Sequence, residues 1–289
     1  MSKKDLDKTI LMPSILDEIK KEKRKEKKII TKIIIAIFII GSSFSLFLFY
    51  GPIDGFRNFW ITSAMTSMSH QYLARWFYND DVINEVLANN HIIEVDENTN
   101  PDLINFKDYD TDKKIYENEY DKEILTKDPG NDLYKVIEVS GSGYQGYLVA
   151  IYDPSRVSIA TTNYLGKRGE AITTVAKREN AVIAMNAGGF YDPDWNSNGA
   201  LPHGTVIKNG EIVSDYDDAA MGGGFVGFTK DDKLVLGKMT KEEALEMGMR
   251  DAVEFGPFLI VNGKSSFVKG NGGWGIAPRT AIGQREDGI

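Results

Sequence analysis

Apolar and polar positions follow three different rhythms along the 289 residues, and each predicts a different kind of structure. The first is continuous. In IITKIIIAIFIIGSSFSLFLFY, Ile29 to Tyr50, no charged residue occurs from Ile33 onward. At ~1.5 Å per residue those 18 positions extend roughly 27 Å, close to the hydrocarbon thickness of a bilayer. A buried core helix would carry a polar stripe, whereas this run offers only Gly41, Ser42, Ser43 and Ser45, and Lys32 can snorkel toward headgroups. The run exceeds the ~7–15 apolar residues of a secretion signal, starts far from the N-terminus and lacks a following small-x-small site, so it reads as an uncleaved transmembrane anchor.

The second rhythm is helical. Phe56 to Asn89 places Trp60, Ala64, Met65, Met68, Tyr72 and Trp76 at three- and four-residue spacing, which predicts one or two amphipathic helices. His70 stands alone there and reads as an ordinary packed or exposed residue. Asp96 to Asp132, rich in Asp, Glu, Lys and Asn, reads as a solvated linker. The third rhythm begins at Leu133, where short apolar runs alternate with turn residues. Tyr134–Val139, Gly146–Tyr152, Val157–Ala160 and Ala181–Asn186 read as strands, and Glu170–Glu179 as a short helix. Hairpin turns are predicted at Asn209-Gly210, Asn262-Gly263 and Asp287-Gly288, the last following a strand over Thr280–Gly283. Lys230–Lys233 adds a further turn, and Thr240 with Glu243 forms a capping box opening a helix over Lys241–Met249. The fold class is therefore α+β, a mainly antiparallel β-sheet domain with short helices, preceded by one N-terminal transmembrane helix. The chain divides into a basic tail (1–28), the span (29–50), juxtamembrane helices (51–95), an acidic linker (96–132) and the β-rich domain (133–289).

Charge sharpens this division. The whole chain has 34 Lys and Arg against 42 Asp and Glu, a net charge of -8. Residues 1–28 alone carry a net of +4, which leaves -12 for the rest. The basic side of the span should face the cytoplasm, which places the β-rich domain outside the cell membrane as part of a single-pass protein. An acidic exterior excludes a general nucleic-acid grip. The absence of cysteine excludes disulfides, thiolate metal sites and cysteine nucleophiles. Oligomeric state is left open by the sequence.

Chemistry concentrates in MNAGGFYDPDWNSNGALPHGTVIKNGEIV, Met185 to Val213. Gly188 and Gly189 admit close backbone approach. Phe190, Tyr191 and Trp195 offer faces that stack on sugar rings, and Asn186, Asp192, Asp194, Asn196 and Asn198 offer polar contacts; a polar loop with an aromatic anchor explains the composition equally well. Asp194, Asn196 and Asn198 also match the first half of a calcium loop, but Thr205 stands where the bidentate Glu is required, so no cofactor is established and calcium rests on those three residues alone. GSGYQG, Gly141–Gly146, matches a dinucleotide fingerprint yet is followed by a strand instead of the required helix, and reads as a glycine-rich β connection. Glu254 precedes a further cluster, FGPFLIVNGK, and Arg279 in APRTAIG has the planar donor fork that suits phosphate oxygens.

In this order, NAGGFY, HGTVIKNGE, FGPFLIVNGK and APRTAIG closely resemble the phosphodiester glycosidase family, over about Tyr134 to Ile289. That family includes an enzyme that removes N-acetylglucosamine from its phosphodiester to mannose 6-phosphate, and bacterial proteins associated with exopolysaccharide biosynthesis. The resemblance implies a glycoside hydrolase that cleaves a sugar-1-phosphodiester on the sugar side. By motif match it puts Asn186, Gly188 and Phe190 in the pocket, His203 and Gly204 at its edge, and Arg279 with Thr280 on the phosphate. Glycosidic cleavage calls for an acid and a carboxylate or water. The candidate catalytic set is Asn186, His203, Glu254 and Arg279, and the substrate-binding set is Gly188, Gly189, Phe190, Tyr191, Asp192, Gly204 and Thr280. Asp194 and Glu286 are further carboxylates near the motifs, and the nucleophile and acid/base assignments stay open.

Family members continue past this point into further strands, whereas this chain stops at Ile289 directly after Asp287-Gly288, which predicts a missing return strand and an incomplete domain. The rival expectation is a noncatalytic, membrane-tethered protein that holds glycan, or assembles exopolysaccharide, in the same pocket.

Overall fold

The structure is a computed structural model that describes residues 3–67, 70–106, 116–192, 197–216 and 223–289. Met68 and the calcium-loop residues Asp194 and Asn196, with Trp195 between them, lie outside the described residues. The chain forms two compact units, Met1–Ala88 and Asn89–Ile289.

The first unit is helical. The apolar run is the C-terminal part of one helix, α1 (Lys3–Tyr50), that also contains the basic segment before it. Asp17–Tyr50 contains an 18-residue window of mean hydropathy 2.4, none of it buried, long and apolar enough to cross a membrane. Gly51-Pro52 ends α1, because proline has no N–H and clashes with the preceding turn. Where one or two amphipathic helices are expected, three occur: α2 (Asp54–Met65), the single turn α3 (Tyr72–Arg75) and α4 (Asp80–Asn89). Of the positions the spacing selects, Ala64 is buried and Trp60 and Met65 pack against the core in part. Ile61, Ala64, Ala74, Ile83 and Val86 are buried. Phe49 stacks on Phe77 at 3.9 Å, and two polar tips find carbonyls, Trp60 Nε1 on Leu73 (3.0 Å) and Tyr78 Oη on Phe49 (2.8 Å). Tyr72 and Trp76 remain exposed. His70 is exposed with its Nδ1 2.8 Å from Ser67 Oγ.

The second unit is built on a five-stranded antiparallel sheet of β4 (Gly204–Lys208), β5 (Glu211–Tyr216), β6 (Gly224–Thr229), β7 (Leu234–Gly237) and β8 (Met249–Phe255), in the order β5-β4-β8-β6-β7. Ile207, Phe225, Val235, Met249 and Ala252, with Ala244 of α7 (Lys241–Glu246), form its fully buried core. Three smaller antiparallel pairs accompany it: β1 (His91–Ile93) with β11 (Phe267–Lys269), β2 (Tyr134–Gly141) with β3 (Tyr144–Ile151), and β9 (Ile260–Val261) with β10 (Lys264–Ser265). Two short helices, α5 (Glu119–Leu125) and α6 (Ile172–Arg178), and two 3-10 turns, Pro101–Leu103 and Pro154–Arg156, complete the described elements.

Turn chemistry accounts for much of this. Asn209-Gly210 and Asn262-Gly263 take positive φ at both residues and close their hairpins, as such dipeptides favour. Asp232, φ 60, turns β6 into β7. The Thr240–Glu243 capping box forms in both directions and opens α7, which ends at Glu246, three residues before the expected Met249. GSGYQG is the β2–β3 hairpin turn, with Gly141 paired to Tyr144, and no helix follows it.

Three expected strands do not form. Val157–Ala160 is irregular, with the Ile159 N–H donated to Asp251 Oδ1 at 3.2 Å instead of to a ladder. Ala181–Asn186, which its apolar run marks as a buried strand, forms no ladder, bends at Val182 and is largely exposed, Val182 by 77%. Thr280–Gly283 is likewise without a ladder, and Asp287-Gly288 closes a local turn in which the Gly288 N–H reaches the Arg285 carbonyl at 3.0 Å. A run of β-forming residues becomes a strand only when a partner supplies its hydrogen bonds, and periodicity carries no information about the partner.

The segment read as a solvated linker also differs. Asn98 and Thr99 lie along β7, taking the N–H groups of Lys238 and Leu236 at 3.0 Å each, while the Thr99 N–H bonds the Leu236 carbonyl at 2.8 Å. Gln284 Oε1 takes the Leu234 N–H at 2.6 Å. The edge of the sheet is thus covered by polar side chains, which blocks edge-to-edge pairing. Ile104 is buried, and Arg285 binds the buried Asp121 of α5 at 2.8 Å.

Candidate functional site

The candidate residues meet where β4 begins and β8 ends. Gly204 opens β4 with φ +65, and a side-chain carbon on it would collide with the Glu254 carboxylate and stem. Only glycine combines that backbone with that clearance. The bare backbone lets Glu254 Oε2 accept the Thr205 N–H at 2.6 Å, fixing the carboxylate across the start of the strand.

The NAGGFY segment lies against the same spot. Gly188 faces β8, with Val253 Cβ 3.6 Å and the Glu254 carbonyl 3.9 Å from where its own Cβ would be. The Gly189 carbonyl accepts the His203 N–H at 3.0 Å, Phe190 bridges Pro202, and the Tyr191 N–H reaches the Leu201 carbonyl at 2.8 Å. These antiparallel contacts zip 189–191 to 201–203 and carry two motifs into one place. The Tyr191 ring meets His203 edge-on at 6.2 Å and Tyr216 of β5 at 5.0 Å. His203 Nδ1 is buried with no hydrogen-bond partner.

A polar chain supports this cluster from behind. Thr205 Oγ1 donates to Asp215 Oδ1 at 3.1 Å, and Asp215 Oδ2 pairs with Lys241 of α7. The Lys241 ammonium, joined by the Thr205 hydroxyl and opposed by burial, holds Asp215 below the ordinary carboxylate range. Asp215 and Tyr216 carry no signal in the sequence, because EIVSDY reads as an ordinary strand whose contacts are set by register, and Lys241 reads only as the first residue of a capped helix.

The remaining candidates are more loosely gathered. Asp192 Oδ1 accepts the Ser197 N–H at 2.6 Å, which occupies one oxygen of this carboxylate. Asn198 Oδ1 accepts the Ala200 N–H at 3.1 Å, and its amide donates to the Lys167 carbonyl at 3.0 Å, an Asx-turn geometry that occupies the side chain of this calcium candidate. Among the described residues no group of three or more His, Cys, Asp or Glu is placed to hold a metal ion. Thr280 Oγ1 reaches the Asn186 carbonyl at 3.3 Å, so APRTAIG touches NAGGFY. Both Asn186 and Thr280 are exposed. Arg279 does not point with Thr280: its guanidinium bonds the Trp274 carbonyl and lies 5.2 Å from the Trp274 ring centre. Glu286 is engaged through its backbone, its carbonyl taking the Asn105 N–H at 2.7 Å.

The cluster therefore presents one fixed carboxylate, one imidazole, aromatic faces and bare glycine backbone, with an exposed guanidinium on the adjoining segment. Such a set can hold a sugar ring and move a proton. Residues 179–289, which contain all of it, match the family model described as phosphodiester glycosidase. The chain is also 32% identical, over 146 residues, to the SPbeta prophage-derived uncharacterized protein YomE of Bacillus subtilis (strain 168), an alignment covering 47% of this chain. The chain spans 22% of that relative's length. No solved structure matches.

Proposed function

From the phosphodiester glycosidase match over residues 179–289, we propose that this protein hydrolyses a sugar-1-phosphodiester, breaking the bond between the anomeric carbon and the bridging oxygen. Water supplies the hydroxyl left on the sugar carbon, and the phosphate leaves as a monoester that retains its other substituent. The observation carrying this reading is the meeting of Gly188, His203, Gly204 and Glu254 at one point of the sheet.

Glu254 is the group that acts at the anomeric centre, as the carboxylate that activates water or stabilises the oxocarbenium-like transition state. Its Oε2 bond to the Thr205 N–H leaves Oε1 for that task. His203 exchanges protons through its imidazole. Phe190 and Tyr191 lie against the sugar face, Gly188 and Gly189 admit its close approach, and Asn186 and Asp192 contact hydroxyls. The departing phosphate is already a stable anion, so neutralisation by Arg279, swung from the Trp274 carbonyl, with Thr280 beside it, takes the place of a strong general acid. The span in α1 anchors the enzyme in the cell membrane with its N-terminus cytoplasmic, since basic residues crowd that side. Cell-surface or exopolysaccharide phosphodiesters are the substrate class met on the outer face.

The test uses the full chain in detergent with an N-acetylglucosamine-1-phospho-methyl diester. Glu254→Gln keeps an acceptor for Thr205 and removes the charge, so turnover should fall by about 10²-fold or more with the thermal midpoint retained. Binding without turnover in the unaltered protein would replace the enzyme with a glycan-holding protein.

A further inference from the structure

The helix that carries the apolar run continues without a break into the basic segment, so α1 fixes where those charges sit relative to a bilayer. Lys21, Arg24, Lys25 and Lys28 line one groove on its surface, and Lys32 continues their spacing of i, i+3, i+4, i+7 and i+11. That spacing keeps all five on one face. Glu18, Glu22 and Glu26 recur every four residues and fall on a separate row, while Asp17, four residues before Lys21, stands at the N-terminal end of the basic face, farthest from the apolar run. Every one of these side chains is exposed, and among the described residues no ion pair neutralises Lys21, Arg24, Lys25 or Lys28.

Distance decides what this face meets. Lys28 stands about 8 Å, and Arg24 about 14 Å, along the helix from the first fully uncharged position, Ile33. The headgroup layer is about 5–8 Å deep, and the screening length at physiological salt is about 8 Å. Lys28 and Lys32 therefore lie within the headgroups, and Lys25 and Arg24 lie within one screening length beyond them. We infer that this face of α1 is a docking surface for anionic lipid headgroups, which selects negatively charged lipids around the anchor. The inference rests on α1 spanning the membrane and is independent of the hydrolytic reading.

The full chain is reconstituted in vesicles of mixed phosphatidylcholine and phosphatidylglycerol, and the motion-restricted fraction of spin-labelled forms of each lipid is read by electron paramagnetic resonance. At low salt the anionic label should associate about threefold or more in excess over the neutral one, and the excess should shrink in high salt. Replacing Arg24, Lys25 and Lys28 together by Gln should bring the ratio close to one. Replacing Lys3, Lys4 and Lys8 by Gln removes equal charge more than about 35 Å from Ile33 and should leave the ratio intact. Equal restriction of both labels in the unaltered protein would overturn the headgroup surface while leaving the span in place. Absence of any restricted population would overturn both.

Discussion

Gly204 shows how one residue without a side chain organises a site. Its φ of +65 lies in the left-handed region, and the space beside it is filled by Glu254. Gly204→Ala should cost about 1–2 kcal/mol from backbone conformation alone, with a further cost for displacing the carboxylate, and should lower the thermal midpoint and activity together. Glu254→Gln should lower activity only, so differential scanning of the two variants separates scaffold from chemistry. The sequence drew attention to Gly204 through its neighbours in HGTVIKNGE, but its clash partner is fifty positions away, where only the β4–β8 pairing could place it. Arg279 illustrates the reverse. Its residue type suggested a phosphate clamp, while the folded chain directs the guanidinium to Trp274, a local contact that motif order does not reveal.

At the scale of elements, local signals were legible and partnerships were not. Asn209-Gly210, Asn262-Gly263 and the Thr240–Glu243 box each act within a few residues, so the sequence contains their whole cause. Val157–Ala160 and Ala181–Asn186 have strand composition without a ladder, and residues 96–106 have linker composition yet cover β7. What holds the segment at Val157 is Arg250 on β8, whose guanidinium reaches the Val157 carbonyl (2.7 Å), the Pro154 carbonyl (2.9 Å) and Asp232 (3.0 Å) and pairs with Asp251, itself 4% exposed. Arg250→Met would leave that carboxylate buried beside an apolar chain, and should cost about 3–5 kcal/mol in chemical denaturation. The Asp215–Lys241 tie between β5 and α7 predicts an acid limb. Because Asp215 titrates lower in the folded state than its ordinary value near 3.9, its contribution is complete above that pH and is lost as pH falls through the depressed folded value. Thermal midpoints from pH 6 to pH 2 should show a shallower acid decline in Asp215→Asn than in the unaltered protein.

For the whole molecule, the net charge of -8 averages a cationic N-terminal helix and an acidic remainder, and the apolar run of α1 separates the two. The absence of native cysteine makes topology directly measurable. A membrane-impermeant maleimide applied to intact cells should label Ser140→Cys, which lies exposed on β2, and should leave Lys23→Cys unlabelled until the membrane is opened; the reverse pattern would invert the orientation. The central claim, cleavage on the sugar side of a phosphodiester by the cluster around Glu254, is tested most directly by hydrolysis of the N-acetylglucosamine-1-phospho-methyl diester in ¹⁸O-enriched water. The account predicts free sugar and a methyl phosphate without heavy oxygen; heavy oxygen in the phosphate, whether in methyl phosphate beside free sugar or in sugar-1-phosphate, would contradict it.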